Sequence, residues 1–242
     1  MAEQEIKHKH DTIIEARNVF KDFFVGKHTI NALADVSLEV RAQDFIVVFG
    51  PSGCGKSTLL NVLLGLDQPT AGEVIIRDTK IYDLSDDARA KFRVKKIGMV
   101  YQMSNWIKSL NMVENVAFPL IVAGTKESHA IKVAHRTLEE IGIDDLSKQP
   151  PTQLSGGEQQ RAGVARALVT NPHIIIADEP TGNLDSTCSD EIMSLFFSLN
   201  KVKKKTIILV THNQSYWDIG TERIEMKDGR IIKDTAHGLA GS

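Results

Sequence analysis

Short apolar segments rich in valine and isoleucine alternate along the chain with segments in which apolar residues recur every three or four positions. A short continuous apolar run is typical of a strand buried on both faces, and spacing of three and four is typical of an amphipathic helix. The predicted buried strands are 45–49, 96–101, 174–177 and 206–210. The predicted helices are 56–66, 127–141, 158–169 and 189–199. This alternation predicts an α/β core with a largely parallel sheet.

Further patterned segments lie around this core. Apolar strands at 12–19, 36–41 and 73–76 predict a small antiparallel β-subdomain. Between 103 and 170 the pattern turns helical and is broken by Pro150 and Pro151, which predicts an inserted α-helical subdomain. The predicted organisation is therefore a flexible polar leader at 1–11, one domain over 12–235 and a flexible tail at 236–242.

The composition excludes several classes of protein. With 29 basic and 31 acidic side chains among 242 residues, the net charge of -2 gives no support for wholesale nucleic-acid binding. Cys54 and Cys188 lack a C-x-x-C spacing, which favours a reducing compartment and argues against a zinc site. Residues 1–11 lack the apolar stretch of a signal peptide, and the apolar stretch 117–124 is far shorter than the roughly 18 residues that span a bilayer. We therefore expect a cytosolic chain.

A glycine-rich segment follows the strand predicted at 45–49 and opens the helix predicted at 56–66, which is the setting of a phosphate loop. Glycines let backbone N–H groups converge on phosphate oxygens, Lys56 supplies a cation for the β- and γ-phosphates, and the Ser57 hydroxyl can coordinate Mg²⁺. An ordinary glycine turn is the alternative. The predicted nucleotide-binding residues of this segment are Gly50, Pro51, Ser52, Gly53, Cys54, Gly55, Lys56, Ser57 and Thr58.

Two carboxylates, Asp178 and Glu179, end the strand predicted at 174–177. In doubly wound folds the loops at the carboxyl ends of strands lie beside the phosphate site. Asp178 would then hold the magnesium ion through its water shell, while Glu179 would orient and deprotonate the attacking water. A charge that complements a helix N-terminus is the alternative explanation of this pair.

Residues 154–161, Leu-Ser-Gly-Gly-Glu-Gln-Gln-Arg, resemble the signature sequence of ABC ATPases. Residues 180–185, Pro-Thr-Gly-Asn-Leu-Asp, resemble the loop that follows the catalytic carboxylate of that family. The Ser155 hydroxyl and the N–H groups of Gly156 and Gly157 can hold phosphate at a helix N-terminus, although a helix cap alone would also account for these residues.

The resemblance covers residues 14–233 and implies a P-loop NTPase (RecA-like) fold that binds ATP and Mg²⁺. Members of the family form a head-to-tail dimer, in which the signature of one copy covers the ATP held by the phosphate loop of the other. Asp185 would lie at the dimer seam and report the state of one site to the other. The signature residues implied to bind nucleotide are Ser155, Gly156, Gly157 and Glu158.

The resemblance also implies roles for three residues outside these motifs. Gln102 matches the glutamine that touches Mg²⁺ and links the core to the helical subdomain, and His212 resembles the switch histidine that contacts the γ-phosphate. Taken singly, a solvent-facing glutamine and a structural histidine would be the default interpretations. Phe23 corresponds to the aromatic residue that stacks on adenine, with Phe20 and Phe24 as rivals and packing against the β-subdomain as the alternative.

Residues 65–67, 114–120 and 178–185 resemble one bacterial branch of the family. This branch includes the ATPases of lipoprotein release, macrolide export, antimicrobial-peptide resistance and cell division. The partners of these ATPases typically have few membrane helices and a large extracytoplasmic domain.

Two segments depart from the usual pattern of the branch. Gln-Asp at 43–44 replaces the common Gly-Glu, and residues 104–108 differ from the usual stretch after the glutamine. Residues after this glutamine commonly face the membrane partner in the family. Trp106 and Ile107 are therefore candidate partner contacts, or they are core residues.

These features together predict an ATPase that converts ATP and water to ADP and phosphate. It would power transport, extraction or export of a lipoprotein or peptide, or force transmission across the membrane, through a separate permease. Glu179, His212, Lys56 and Gln102 would act in catalysis, and Ser57, Gln102 and Asp178 would hold the metal. The expected partners are a second copy, joined in an ATP-dependent homodimer, and membrane permease subunits from a separate chain, two copies of them, at the cytoplasmic face of the cell membrane. No nucleic-acid partner is expected. The alternative is a regulatory ABC ATPase that switches a membrane-bound enzyme or division complex without moving a substrate.

Overall fold

The structure, a computed structural model, describes residues 12–103 and 105–235. The leader 1–11 and the tail 236–242 expected from the sequence lie outside the described residues. The chain divides into two compact units: the first contains the described residues up to Arg89 and from Thr206 onward, and the second is Ala90–Lys205. The domain limits inferred from the sequence stay a prediction.

Strands and helices alternate through much of the described chain. The strands are β1 (Thr12–Val25), β2 (His28–Arg41), β3 (Phe45–Phe49), β4 (Ala71–Ile76), β5 (Thr79–Lys80), β6 (Ile97–Val100), β7 (Ile174–Asp178), β8 (Thr206–Thr211), β9 (Glu222–Lys227) and β10 (Arg230–Asp234). The α-helices are α1 (Lys56–Leu63), α2 (Asp86–Lys96), α3 (Met112–Val122), α4 (Glu127–Ile141), α5 (Gly156–Leu168) and α6 (Ser186–Lys201). Short 3₁₀ helices lie at Ile81–Asp83, Asp144–Leu146, Pro151–Gln153 and Gln214–Ile219.

Four strands of the first unit form an antiparallel sheet in the order β2-β1-β4-β5, as the sequence predicted for a β-subdomain. β1 and β2 are longer than predicted because they continue into an exposed hairpin, in which Val25 pairs with His28 across a turn at Gly26. Gly26 has a φ of 62°, which glycine adopts without the steric cost of a side chain. The predicted strand 12–19 covers the part of β1 that contains the buried residues Ile14 and Val19.

β3 is the central parallel strand of the first unit. It pairs in parallel with β8 on one side and β9 on the other, and β10 is antiparallel to β9. The bounds of β3 agree with the prediction, because Ile46 and Val47 belong to an apolar run that is buried on both faces. Phe49 at the end of β3 is in register with Thr211 at the end of β8. The glycine-rich segment and His212 therefore follow adjacent strand ends.

β6 and β7 are the parallel pair of the second unit, and Val100 is in register with Ala177. The segments that carry Gln102 and Asp178 consequently leave adjacent strand ends. A Cβ atom on Gly98 would lie 2.3 Å from the carbonyl oxygen of Ala167, so glycine lets α5 pack directly on β6.

Helices α3, α4 and α5 share an apolar core within the second unit. Asn111 and Glu114 form a capping box at the start of α3, and Gly142 with a φ of 78° ends α4. The fully buried residues of this core include Met112, Val116, Ala130, Ala134, Leu138, Ala162 and Ala165. The helical segment predicted within 103–170 thus consists of three α-helices, with the 3₁₀ helices Asp144–Leu146 and Pro151–Gln153 between α4 and α5.

Several further differences at the helices have local causes. α2 was not predicted because it buries none of its residues and therefore has no apolar periodicity. α1 ends before the predicted position because Gly65 adopts a left-handed φ of 67°. α5 and α6 begin earlier than predicted because Ser155 and Asp185 cap their first turns.

Candidate nucleotide-binding site

The loop between β3 and α1 can be built only with glycine at two of its positions. A Cβ on Gly50 would lie 2.4 Å from the carbonyl oxygen of Met226 and 2.7 Å from the Sγ of Cys54. Gly55 has a φ of 104°, and a Cβ there would lie 2.5 Å from the carbonyl oxygen of Ala32. All three distances are far below van der Waals contact, so the loop path itself requires these glycines. Cys54 is buried within the loop.

The N-terminus of α1 is left without a side-chain cap. Gly55 occupies the N-cap position and has no side chain with which to cap the helix, and the first turn holds no acidic residue. The first N–H groups of a helix have no partner within the helix and carry a partial positive charge, which favours a bound anion. The start of α1 is thus suited to phosphate.

Lys56 adds a cation to this loop. Its side chain is buried, and its Nζ donates hydrogen bonds to the carbonyl oxygens of Gly50 at 2.7 Å and Pro51 at 2.9 Å. The ammonium group is therefore held over the loop backbone. Ser57 is exposed and Thr58 half-buried in the same helical turn. Ser52 and Gly53 are exposed, and Gly53 has a φ of 78°.

Glu179 has an uncommon backbone conformation directly after β7. Its φ is 48°, in the left-handed region that non-glycine residues seldom occupy. Such strain costs on the order of 1 kcal/mol or more and tends to occur at functional sites. Asp178, the last residue of β7, and Glu179 are both half-buried. The turn after Glu179 is closed by a hydrogen bond of 3.0 Å from the N–H of Gly182 to its carbonyl oxygen.

The side-chain amide of Gln102 lies against this turn. A Cβ on Gly182 would lie 2.8 Å from Nε2 of Gln102, so the small residue makes room for the amide group. The structure therefore brings Gln102 together with the segment that starts at Glu179. No role was predicted for Gly182, and its only signal in the sequence was that it is a glycine inside the motif at 180–185, in which Asp185 alone was assigned a role.

The signature residues form a capping box at the start of α5. The Ser155 hydroxyl accepts a hydrogen bond from the N–H of Glu158 at 3.3 Å, and the Glu158 carboxylate accepts one from the N–H of Ser155 at 2.7 Å. The Ser155 hydroxyl also donates to the same carboxylate at 2.7 Å. These bonds from the hydroxyl and the backbone lower the pKa of Glu158 below its ordinary value of 4.5. Ser155 and Gly156 are exposed, and Gly157 is buried.

Asp185 caps the first turn of α6. Its Oδ1 accepts a hydrogen bond of 2.8 Å from the N–H of Cys188, and this bond is the main cause of its lowered pKa. The side chain is exposed. Asp185 is therefore an ionised surface carboxylate with one face held by the helix.

The two remaining predicted residues are exposed in the first unit. His212 directly follows β8. Phe23 is on the exposed hairpin of β1 and β2, where Nζ of Lys21 lies 5.0 Å from the centre of its ring. Phe23 and Phe20 are each 37% exposed and Phe24 is 77% exposed, so all three aromatic rings have accessible surface.

A groove of about 450 Å³ lies along the segment after Gln102. Trp106 lines it and also packs on the helical core, with its indole N–H donating to Gln159 at 3.1 Å and the guanidinium of Arg166 lying 4.3 Å from its ring centre. Trp106 thus contributes to the core and still borders an open surface. Met103, which also lines the groove, is 70% exposed.

The backbone beside Trp106 is held by the buried side chain of Asn115. Its Oδ1 accepts from the N–H of Ile107 at 2.9 Å. Its Nδ2 lies within hydrogen-bonding distance of the carbonyl oxygens of Ile107 at 3.1 Å, Leu110 at 3.0 Å and Asn111 at 2.9 Å. One side chain therefore fixes the path of the loop from 107 to 111.

Three features together define a nucleotide-binding domain of the P-loop class: a phosphate loop of this build, a strained carboxylate at a second strand end, and a glycine-containing helix cap. The ABC transporter family profile matches residues 33–182. The chain belongs to the ABC transporter family.

Relatives and solved structures agree with this assignment. The lipoprotein-releasing system ATP-binding protein LolD of Colwellia psychrerythraea is 41% identical over 219 residues, which are 90% of this chain and 85% of that protein. The macrolide export ATP-binding/permease protein MacB of Aggregatibacter actinomycetemcomitans is 40% identical over 223 residues, which are 92% of this chain and 34% of that protein. The dimeric post-hydrolysis structure of the ATP-binding cassette MJ0796, bound to ADP and Pi, superposes with a TM-score of 0.85 at 40% identity and covers 92% of this chain and 97% of that one.

These findings confirm the predicted fold and activity. The chain is an ATP-binding cassette ATPase, and its relatives include members of the lipoprotein-release and macrolide-export branch. No helix among the described residues is long and apolar enough to cross a membrane.

Proposed function

We propose that this chain drives a membrane permease by closing on ATP as a homodimer and reopening after hydrolysis. The observation that carries this proposal is the uncapped start of α1 beneath the buried ammonium group of Lys56. Hydrolysis adds water to the γ-phosphorus: the bond from the water oxygen forms, the bridging bond to the β-phosphate breaks, and ADP leaves. The water proton passes to Glu179, the proposed general base.

The remaining site residues position phosphate and metal in this proposal. Lys56 neutralises charge on the β- and γ-phosphates, and His212, which follows the strand end next to the phosphate loop, contacts the γ-phosphate. Phe23 is proposed to stack on adenine, and its ring has the accessible surface on the hairpin that such a contact needs.

Magnesium fits the oxygen donors that these segments present. The Ser57 hydroxyl, the Gln102 amide oxygen and the Asp178 carboxylate are hard ligands of the kind that Mg²⁺ prefers, with Asp178 acting through water. When bound, Mg²⁺ would neutralise developing charge on the transferred phosphate.

The second copy completes the site in this proposal. Ser155, Gly156, Gly157 and Glu158 of one copy would cover the nucleotide held by the other, and Asp185 would lie at the seam. Support comes from the dimeric MJ0796 cassette, which has 40% identity to this chain. The exposed Ser155 and Gly156 at a helix N-terminus provide the groups that such a contact needs.

The permease is proposed to dock on the groove after Gln102. Trp106 and Met103 offer apolar surface there, and the groove is large enough for apolar side chains of a partner. Two permease subunits of separate chains would hold the dimer at the cytoplasmic face of the membrane. By similarity to the lipoprotein-releasing LolD and the macrolide exporter MacB, the proposed substrate is a lipoprotein or an exported small molecule of the macrolide kind.

The test compares the Glu179→Gln variant with the native chain. We expect kcat to fall about 100-fold or more because the general base is lost, while ATP binding persists and the ATP-bound dimer accumulates. Glu140→Gln is the matched control, because Glu140 is an exposed glutamate of the same unit that pairs with Lys203. Undiminished hydrolysis in Glu179→Gln would remove Glu179 from this role.

Reconstitution with the permease tests the membrane part. ATP-dependent movement or extraction of a lipoprotein supports the proposal. Activation of another membrane enzyme without any movement would instead favour the regulatory alternative.

A further inference from the structure

The start of α5 packs tightly against the start of α6. A Cβ on Gly157 would lie 2.9 Å from Sγ and 3.4 Å from Cβ of Cys188, whereas a Cβ on Gly156 would meet Leu184 at an ordinary 3.5 Å. Gly157 is buried and Gly156 is exposed. The missing side chain at Gly157 is therefore required by a contact within the same chain, whatever it does for a ligand.

A second contact joins the same two helices one turn further along. The guanidinium of Arg161 pairs with the carboxylate of Glu191. Because residues three and four apart lie on one helix face, this pair extends the contact between Gly157 and Cys188 into a continuous seam. The ion pair is partly exposed and contributes little energy, so the close packing at Cys188 sets the spacing.

Cys188 is also tied to Asp185. Its N–H donates to the Asp185 carboxylate at 2.8 Å. Burial raises the pKa of the Cys188 thiol, and the hydrogen bond to Asp185 raises it further. The thiol is therefore a neutral packing group rather than a reactive thiolate.

We infer that Cys188 is a positioning residue that fixes the distance between the signature segment and Asp185, so that both move as one rigid edge. This inference rests on the proposed function, in which that edge faces the nucleotide of a second copy. Because packed contacts have few alternative arrangements, a change of spacing at Cys188 would displace both groups together.

A double-mutant cycle tests the inference in the full chain. Gly157→Ala places a methyl group against the Cys188 thiol, so we expect kcat to fall about tenfold with the KM for ATP unchanged. Alanine is a better helix former than glycine, so helix propensity cannot explain such a loss. Cys188→Ala removes the opposing sulfur, and the double variant should recover to within about threefold of Cys188→Ala alone.

Gly156→Ala is the matched control. It makes the same chemical change at the neighbouring helix position, but its methyl group meets Leu184 and not Cys188. Whatever its own activity, adding Cys188→Ala should change it by no more than Cys188→Ala changes the native chain. Nucleotide binding to the single copy, measured with a fluorescent ATP analogue below the dimerisation concentration, should be the same in all five variants and the native chain, because the signature is proposed to contact only the nucleotide of the other copy.

The possible results separate the inference from the proposed function. Rescue of Gly157→Ala by Cys188→Ala supports the inference. If Gly157→Ala and Ser155→Ala both lower kcat but Cys188→Ala gives no rescue, the inference is wrong and the role of the signature stands. If neither Ser155→Ala nor Gly157→Ala lowers kcat, the proposed role of the signature fails, and the inference fails with it.

Discussion

The helix starts of α1 and α5 are both proposed to bind phosphate, yet they differ in how their first N–H groups are satisfied. α1 follows Gly55 and has no side-chain cap, whereas α5 is closed by the capping box of Ser155 and Glu158. The first helix start is thus ready for an anion. The second is already satisfied by its own side chains, and it keeps a carboxylate where phosphate charge would approach.

Because of this difference, we expect the starts of α1 and α5 to act at different steps, the first in nucleotide binding and the second in closure of the dimer. Under the proposed function, the phosphate loop would hold nucleotide in a single copy, because the start of α1 and the ammonium group of Lys56 lie in the same loop. Under the proposed function, the Ser155 hydroxyl that donates to Glu158 would have to turn toward the nucleotide when a second copy closes. Binding and closure are therefore expected to respond to different substitutions.

Lys56→Ala should have the largest effect on nucleotide binding. Loss of a charge-assisted contact with phosphate costs about 2 to 3 kcal/mol, so the affinity for ATP should fall roughly 100-fold. Ser155→Ala should leave the affinity of the single copy unchanged. Titration with a fluorescent ATP analogue below the dimerisation concentration measures both, with exposed Lys201→Ala as the control. Equal losses in Lys56→Ala and Ser155→Ala would contradict the division of roles.

Gly55→Ala should be the more damaging of two glycine substitutions for stability. Its left-handed φ and the carbonyl of Ala32 at 2.5 Å would together cost about 3 kcal/mol of unfolding free energy. Gly156→Ala meets only Leu184 at 3.5 Å and should cost less than about 1 kcal/mol. Urea unfolding without nucleotide measures both. A similar loss in the two variants would mean that the α1 loop is not the more constrained one.

Glu158→Gln should act on closure rather than on nucleotide affinity. Glutamine can keep the capping box but removes a negative charge from the approach of phosphate, so ATP-dependent dimerisation should strengthen about threefold. Size-exclusion chromatography in the hydrolysis-deficient Glu179→Gln background measures this change. Because the carboxylate is near the surface, the gain should shrink at high salt. Weaker dimerisation would show that the carboxylate itself contributes to closure.

The capping box should also leave a small trace in the pH dependence of stability. The folded pKa of Glu158 is lowered below its ordinary value of 4.5, so its stabilisation is fully present above that value and is lost as pH falls through the folded pKa. The urea midpoint of the native chain should therefore drop more than that of Glu158→Gln as pH falls below 4.5. Parallel curves for the two proteins would exclude this contribution.

The parts of the fold with a strong apolar pattern were predictable from the sequence. Strand 45–49 and helix 127–141 have the predicted bounds, because their burial follows the apolar periodicity directly. Helix α2 and the exposed hairpin of β1 and β2 bury too little to leave such a pattern. For these elements only the tertiary structure supplies the bounds.

The candidate site shows a similar division. The phosphate loop and the signature were visible as local motifs, since their glycines, lysine and serine are close in the sequence. Three features were not visible in the sequence: the left-handed φ of Glu179, the contact of Gln102 with Gly182, and the contact of Gly157 with Cys188. The strained backbone occurs at a glutamate, a residue type that does not signal a left-handed φ. The two contacts join residues that are distant along the chain.

The hydrogen bonds of Asn115 fix part of the backbone along the groove independently of the side chains that this part presents. Because Asn115 holds the backbone at Ile107, Leu110 and Asn111, the path of the loop from 107 to 111 does not depend on the exposed side chains of residues 108 and 109. These positions can therefore diverge between relatives while the loop keeps its course. The loop is accordingly a suitable place to exchange partner preference, either during evolution or by grafting the corresponding residues of another cassette.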